Sequence, residues 1–312
     1  MTDEAQIEDV TYALAASPTF GQDGICFAAR RSGLYRSQDG GMSWQNAYGS
    51  LNLQAPLMTL SVTLSPSFET DATVFAGVAG GILRSYDGGK GWVVTELASP
   101  PPVVSSIAIS PNYADDGTLL ACTVQDGVFR SGDRGGRWTA WNFGLLDLNV
   151  FGMAISPGFA QDETLLVGTE SGVYRSTNGG RAWQETAFPL DCAPVLSLAP
   201  SPAYPGDHTM FVGTESSGLF QTDDGGQHWE NIGGDALDGA INAIVLSPEF
   251  PAKPEILVML DDTLLISRDA GTSWSEWPNL KQSSVTAVAA PQGLDPEAPL
   301  LIGLAGGEVI RI

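Results

Sequence analysis

One eight-residue phrase returns six times along the chain, and its spacing constrains the fold more than any other feature. It reads SQDGGMSW from Ser37 to Trp44, SYDGGKGW from Ser85 to Trp92, and SGDRGGRW from Ser131 to Trp138. It continues as STNGGRAW from Ser176 to Trp183, TDDGGQHW from Thr222 to Trp229, and SRDAGTSW from Ser267 to Trp274. The acidic or amide position falls at Asp39, Asp87, Asp133, Asn178, Asp224 and Asp269, at intervals of 45 to 48 residues. A second phrase precedes each box, beginning at Ser17, Ser65, Ser110, Ser156, Ser201 and Ser247 and reading Ser-Pro-x-Phe or Ser-Pro-x-Tyr. Self-similarity at a fixed period of this length marks a solenoid, a propeller or an array.

Each period divides into four short strands, A to D. Strand A is apolar and ends at Ser-Pro, where a proline suits a strand terminus because it has no N–H to give a ladder. Strand B is an apolar run such as TLLACTV, and strand C a glycine-led run such as GVYRS that enters the box. Strand D starts near the tryptophan. Four antiparallel strands in about 45 residues make one propeller blade. The predicted fold is all-β: one seven-bladed β-propeller domain over residues 1–312, with units at about 10–56, 57–102, 103–148, 149–193, 194–239, 240–284 and 285–312. The last unit holds only strands A to C. The expectation is an incomplete seventh blade, or one closed by the segment that precedes Val10.

A box such as RSTNGGRAW also has the look of a glycine-rich phosphate loop. Such a loop opens a helix and occurs once, whereas this one opens a strand and recurs at blade spacing. A turn explains it better. Glycines supply positive φ, and a short Asp or Asn side chain accepts backbone N–H bonds within the turn. An amide at Asn178 can serve because the acceptor oxygen matters more than the charge. The tryptophans Trp44, Trp92, Trp138, Trp183, Trp229 and Trp274 are expected to pack between neighbouring sheets.

On these residues the chain resembles the Asp-box, or BNR, repeat proteins: sialidases, sortilin-type receptors, xyloglucanases and photosystem II assembly factors. GILRSYDGGKGW and GVYRSTNGGRAW look most like the photosystem II stability and assembly factor group. The resemblance implies a propeller with its boxes on the outer rim, between strands C and D and away from the functional face. It implies a fold and leaves the activity open.

A sialidase-like reading requires an arginine triad at irregular positions and an early Arg-Ile-Pro type motif, which this sequence lacks. The arginines Arg36, Arg84, Arg130 and Arg175 instead repeat at one position of successive blades, as links between blades would. A glycosidase requires two carboxylates across a cleft, and xyloglucanase-like enzymes use two facing propellers. His208 and His228 fall in an A–B loop and a box, where surface positions are expected, and no metal or cofactor motif accompanies them. No cofactor is expected.

The formal charge of −22, from 36 acidic and 14 basic residues, opposes binding to nucleic acid or anionic membrane and favours a basic partner. Three scattered cysteines give no disulfide framework. The opening MTDEAQIEDV has no signal-peptide pattern, and no apolar run is long enough to span a bilayer. A cytoplasmic monomer is expected.

In a propeller the A–B and C–D connections share one end, and both repeated phrases belong to it. The B–C and D–A connections vary in sequence and form the other end, where loops on a rigid scaffold carry function. There the chain places Arg31, Asp126, Glu170, Glu215, Asp261 and Asp262 in B–C loops. The D–A loops add apolar residues expected at the surface, Leu51, Leu53, Leu145, Leu146, Phe188 and Leu190. The reading is a non-enzymatic protein-interaction or assembly scaffold using this face for a protein or peptide, with a glycan-binding or glycoside hydrolase module, sialidase-like or xyloglucanase-like, as the alternative.

Overall fold

The computed structural model of the protein describes residues 9–98, 100–278, 280 and 284–312. They form seven antiparallel sheets arranged as a seven-bladed β-propeller. Six sheets have four strands in sequential order, and among the described residues the seventh has three. In blade four, strand A runs Val150–Ile155, B Leu165–Thr169, C Val173–Ser176 and D Gln184–Glu185. Strand A of every blade lies against strand A of the next, the last against the first, so the A strands form the inner wall and the D strands the rim.

Burial follows from that order. Strand B has a neighbouring blade on each face, and both Val74–Val78 and Leu165–Thr169 are buried throughout. Strand D of blade four, at the rim, is exposed throughout. Apolar side chains therefore fill the wedges between blades. Phe27 and Leu34 of blade one meet Val62, Phe68 and Leu83 of blade two in one such cluster. Each fully buried Phe or Leu of this kind contributes about 1.5–3 kcal/mol from removal of apolar surface.

Each A strand carries a one-residue bulge at Tyr12, Leu60, Ser105, Phe151, Leu196, Asn242 or Thr286, where the pairing with strand B skips one position. A bulge bends a strand and raises its twist. Here it also links blades: Ser105 Oγ donates to Val150 O at 2.7 Å, and Thr286 Oγ1 to Thr11 O at 2.7 Å.

The Ser-Pro phrase does more than end a strand. In blades one to five it leads into a single helical turn, as at Phe20–Asp23 and Phe159–Asp162. The serine Oγ donates to the aspartate that ends the turn, at 2.6 Å for both Ser17–Asp23 and Ser156–Asp162. The aromatic residue after Ser-Pro is buried in all six copies, from Phe20 to Phe250. Blade six, where Phe250 precedes Pro251, has no such turn.

The ring closes between blade seven and blade one. Strands A to C of blade seven are Val285–Ala289, Leu301–Leu304 and Val309–Arg311. The seam cluster is small, with Phe20, Cys26 and Leu301 at its centre. Asp9 bridges it at the B–C end. Its carboxylate accepts from Ser32 N at 2.9 Å and Ser32 Oγ at 2.7 Å, and it lies against Gly307 of blade seven. Of the segment before Val10, one of the two expected endings of the seventh blade, residues 1–8 lie outside the described residues.

Candidate functional site

The two ends of the propeller divide the chemistry between them. At the A–B/C–D end every box folds as a tight turn held by its own polar atoms. In the first, Ser37 Oγ donates to Asp39 Oδ1 at 2.8 Å and accepts from Gly41 N at 2.9 Å. Asp39 Oδ1 also accepts from Ser43 N at 2.9 Å. Asn178 does the same with its amide oxygen, accepting from Ser176 Oγ and Ala182 N, each at 2.9 Å. The hydroxyl of Ser43, with N–H donors around the turn, holds the Asp39 carboxyl down to about 2. His228 likewise lowers the Asp224 carboxyl, and Ser273 that of Asp269. Asp133 is lowered chiefly by the Arg137 N–H, and Asp87 is lowered although burial opposes it.

The boxes also lock the ring. Each reaches back to the helical turn or loop of its own blade, as Gly40 N donates to Gly24 O and Gly179 N to Glu163 O, both at 2.9 Å. Arginines of strand C clasp the box of the following blade. Arg84 donates to the Arg134 carbonyl at 2.6 Å, and Arg175 to the Gly225 carbonyl at 3.0 Å. Arg311 does the same from the last blade to the first, on the Gly40 carbonyl at 3.3 Å. Arg36 packs beside Gly88, and Arg130 lies over Trp141 at 4.5 Å. Arg311 was not among the recurring arginines singled out in the sequence, because its blade has no box to flag it.

The box tryptophans reach between blades. Trp92 Nε1 donates to Ala47 O at 2.9 Å, Trp183 Nε1 to Trp141 O at 2.8 Å, and Trp229 stacks edge-on against Phe188 at 5.4 Å. Trp44, Trp138 and Trp274 are half-buried. A polar cleft of about 420 Å³ opens on the rim between blades four and five, lined by Arg175, Asn178, Gln184, Thr186 and Gln227. His228 bonds the Asp224 carboxylate at 2.6 Å, and His208 stacks on Tyr204 at 6.0 Å. Among the described residues no cluster of His, Cys, Asp or Glu could hold a metal ion.

The B–C/D–A end gathers the other predicted residues. Arg31, Asp126, Glu170, Glu215, Asp261 and Asp262 all sit in B–C turns and are exposed. Several are tied to a D–A loop that flanks their blade. Glu170 Oε2 accepts from Asn149 Nδ2 at 2.6 Å, Asp261 Oδ1 from Ala240 N at 3.2 Å, and Asp262 Oδ2 from Ser284 N at 2.9 Å. These carboxylates therefore order loops as well as charge the face. Asp147, not singled out in the sequence, does the same more fully: it accepts from Asn149 N at 2.9 Å and Ser171 N at 2.7 Å.

Of the apolar loop residues Leu51 is half-buried against the cluster between blades one and two, and the other five separate into two kinds. Leu145 and Phe188, expected at the surface, are buried at 5% and 4% and belong to the clusters between blades. Leu146 and Leu190 are 82% and 64% exposed, and Leu53 is 45% exposed. Leu53 borders a second cleft of about 490 Å³, beside Tyr35, Tyr48 and Leu57.

No protein-family model matches the chain, and no curated protein matches it in sequence. Its fold is shared by solved structures of low identity. An extracellular domain from B. thetaiotaomicron superposes with a TM-score of 0.73 at 15% identity, covering 99% of this chain and 38% of that one. The GH74 xyloglucanase from Xanthomonas campestris gives 0.73 at 16%, covering 98% of this chain and 52% of the enzyme. YCF48 from Cyanidioschyzon merolae gives 0.70 at 13%, covering 98% of this chain and 96% of that one. YCF48 bound to D1 peptide gives 0.69 at 15%, covering 98% and 94%. The chain thus spans about half or less of the first two proteins and nearly all of the YCF48 structures; at these identities what is shared is the seven-bladed fold.

Proposed function

We propose that the protein is a non-enzymatic interaction or assembly scaffold of the Asp-box propeller type, similar in kind to the photosystem II assembly factor group, and that it binds a protein or peptide on its B–C/D–A face. One observation carries this reading. The repeated polar residues of the box end are engaged in holding turns and clasping blades, as with Asp39 on Ser43 and Arg175 on Gly225. The loops at the opposite end differ from blade to blade and leave charged and apolar side chains in solvent. A propeller of the same fold and nearly the same length, YCF48, is known bound to a peptide. We place the protein in the cytoplasm as a monomer.

The likeness to the GH74 fold supports a second reading, a glycan-binding or glycan-cleaving module. The two are separated by incubating purified protein with xyloglucan, β-glucans and aryl-sialosides while its partner is captured from the native cell. The scaffold reading expects no hydrolysis and a captured protein; hydrolysis abolished by Glu170→Gln or Glu215→Gln overturns it.

A further inference from the structure

The exposed leucines of the B–C/D–A face are not spread evenly. Leu146 and Leu148 stand in the loop from blade three to blade four, and Leu190 in the loop from blade four to blade five. Both loops flank one B–C turn, Glu170–Gly172. On one side Asp147 accepts from Ser171 N at 2.7 Å. On the other, a Cβ at Gly172 would lie 3.8 Å from Leu190 Cδ2. Each of these loops also turns one residue into the wedge between blades, Leu145 and Phe188, as the loops after blades two and five do with Leu97 and Leu237. Beyond those buried residues, water meets three exposed leucines side by side as a ridge across blade four, whereas the loop after blade one exposes Leu53.

Charge surrounds that ridge with one sign. Asp126, Glu170, Asp191 and Glu215 are exposed around it, in the B–C turns of blades three, four and five and in the loop that carries Leu190. Among the described residues the basic side chains lie elsewhere. The strand-C arginines, Lys90, Arg134, Arg137, Arg181, Lys253 and Arg268 are all at the box end. Among the described residues only Arg30 and Arg31, both of blade one, bring a cation to this face. An apolar centre inside a one-signed rim selects a partner of opposite charge with apolar anchors, and the rim field speeds and orients its approach.

We infer that the ridge Leu146–Leu148–Leu190 is the docking site of a basic peptide segment that carries apolar side chains. Leucine or aromatic anchors settle on the three leucines, and flanking Lys or Arg side chains face Asp126, Glu170, Asp191 and Glu215. The inference rests on the proposed use of this face and assigns it a place and a ligand chemistry.

The probe is a fluorescein-labelled 14-residue peptide containing four lysines and four leucines, titrated by anisotropy into the full chain at low salt. Two companion peptides replace the lysines by glutamate or the leucines by serine. The expected Kd is about 100 µM or tighter, the range of weak peptide docking, and each companion binds at least about tenfold more weakly, as loss of anchor residues does at an interface. The exposed pair Leu146→Ser/Leu190→Ser loses about tenfold. Asp126→Asn/Glu215→Gln loses several-fold and flattens the salt dependence, while Asp115→Asn/Asp223→Asn at the box end changes nothing. Equal binding by the serine companion, or by the Leu146→Ser/Leu190→Ser protein, overturns the inference. A captured native partner separates the two levels: lost on Asp126→Lys/Glu215→Lys but kept on Leu146→Ser/Leu190→Ser, it refutes the ridge and leaves the face; insensitive to both, it refutes the face.

Discussion

Arg311, near the C-terminal end of the chain, donates to the carbonyl of Gly40 in the first box at 3.3 Å. Two residues 271 apart in sequence thus make the same clasp that joins adjacent blades elsewhere, and the guanidinium also lies over Phe20 at 6.0 Å. A propeller is stable as a ring when every interface is made, and among the described residues this one has the smallest apolar cluster.

Arg311→Ala should therefore destabilise the protein by about 1–2 kcal/mol, the net value of a hydrogen bond from a charged donor that is partly solvated. Arg84→Ala and Arg175→Ala should cost similar amounts. Chemical denaturation checks this, and an unchanged midpoint for all three would refute the clasp.

Adjacent glycines of one box should differ sharply. Gly88 has φ +72, but its nearest neighbours stand 3.8 Å from an added Cβ, and the same place is held by Arg134 and Ala270 in other blades. Gly89 has φ +87, and its Cβ would lie 2.7 Å from Phe27 Cε1 of the preceding blade. Gly88→Ala should cost about 1 kcal/mol for the left-handed backbone. Gly89→Ala adds overpacking of about 1–3 kcal/mol. Thermal melting of the two variants orders them.

Acid should weaken the boxes in a defined window. Asp39 is lowered from 3.8 to about 2, so its contribution is complete above pH 3.8 and is lost as pH falls through about 2. Asp133, Asp224 and Asp269 are lowered in the same direction. The melting temperature should stay level from pH 7 to 5 with respect to these groups and drop between about pH 4 and 2. At pH 7 Asp39→Asn should retain stability where Asp39→Ala does not, since Asn178 already fills this role.

Only one thiol should react in the native protein. Cys26 and Cys122 are buried, and burial pushes the Cys26 thiol up to about 12, whereas Cys192 is half-exposed. A thiol reagent should titrate one cysteine rapidly and all three only after unfolding. Rapid reaction of Cys26 would contradict the packing of the seam.

The blade count and strand order were legible because four-strand units repeat with punctuation, Ser-Pro at one edge and the box at another. The helical turn after Ser-Pro was not, since four residues such as Phe20–Asp23 are too few to show a helical period. At the candidate site the exposed carboxylates Asp126 and Glu215 could be placed from loop position alone. Adjacent residues Leu145 and Leu146 could not be told apart, because a loop has no period to say which leucine turns inward. Nor did any motif reveal that Asp147 ties the D–A loop before blade four to the B–C turn of that blade; that depends on strands A and B pairing in space.

The central claim is that binding belongs to the B–C/D–A face and the box end is structural. It is tested most directly by partner affinity to two charge-changed proteins of intact fold, Asp126→Lys/Glu215→Lys and Lys90→Glu/Arg137→Glu. The account predicts at least about tenfold loss for the first pair, the effect of reversing charges at an interface rim, and native affinity for the second. Loss confined to the second pair would contradict it.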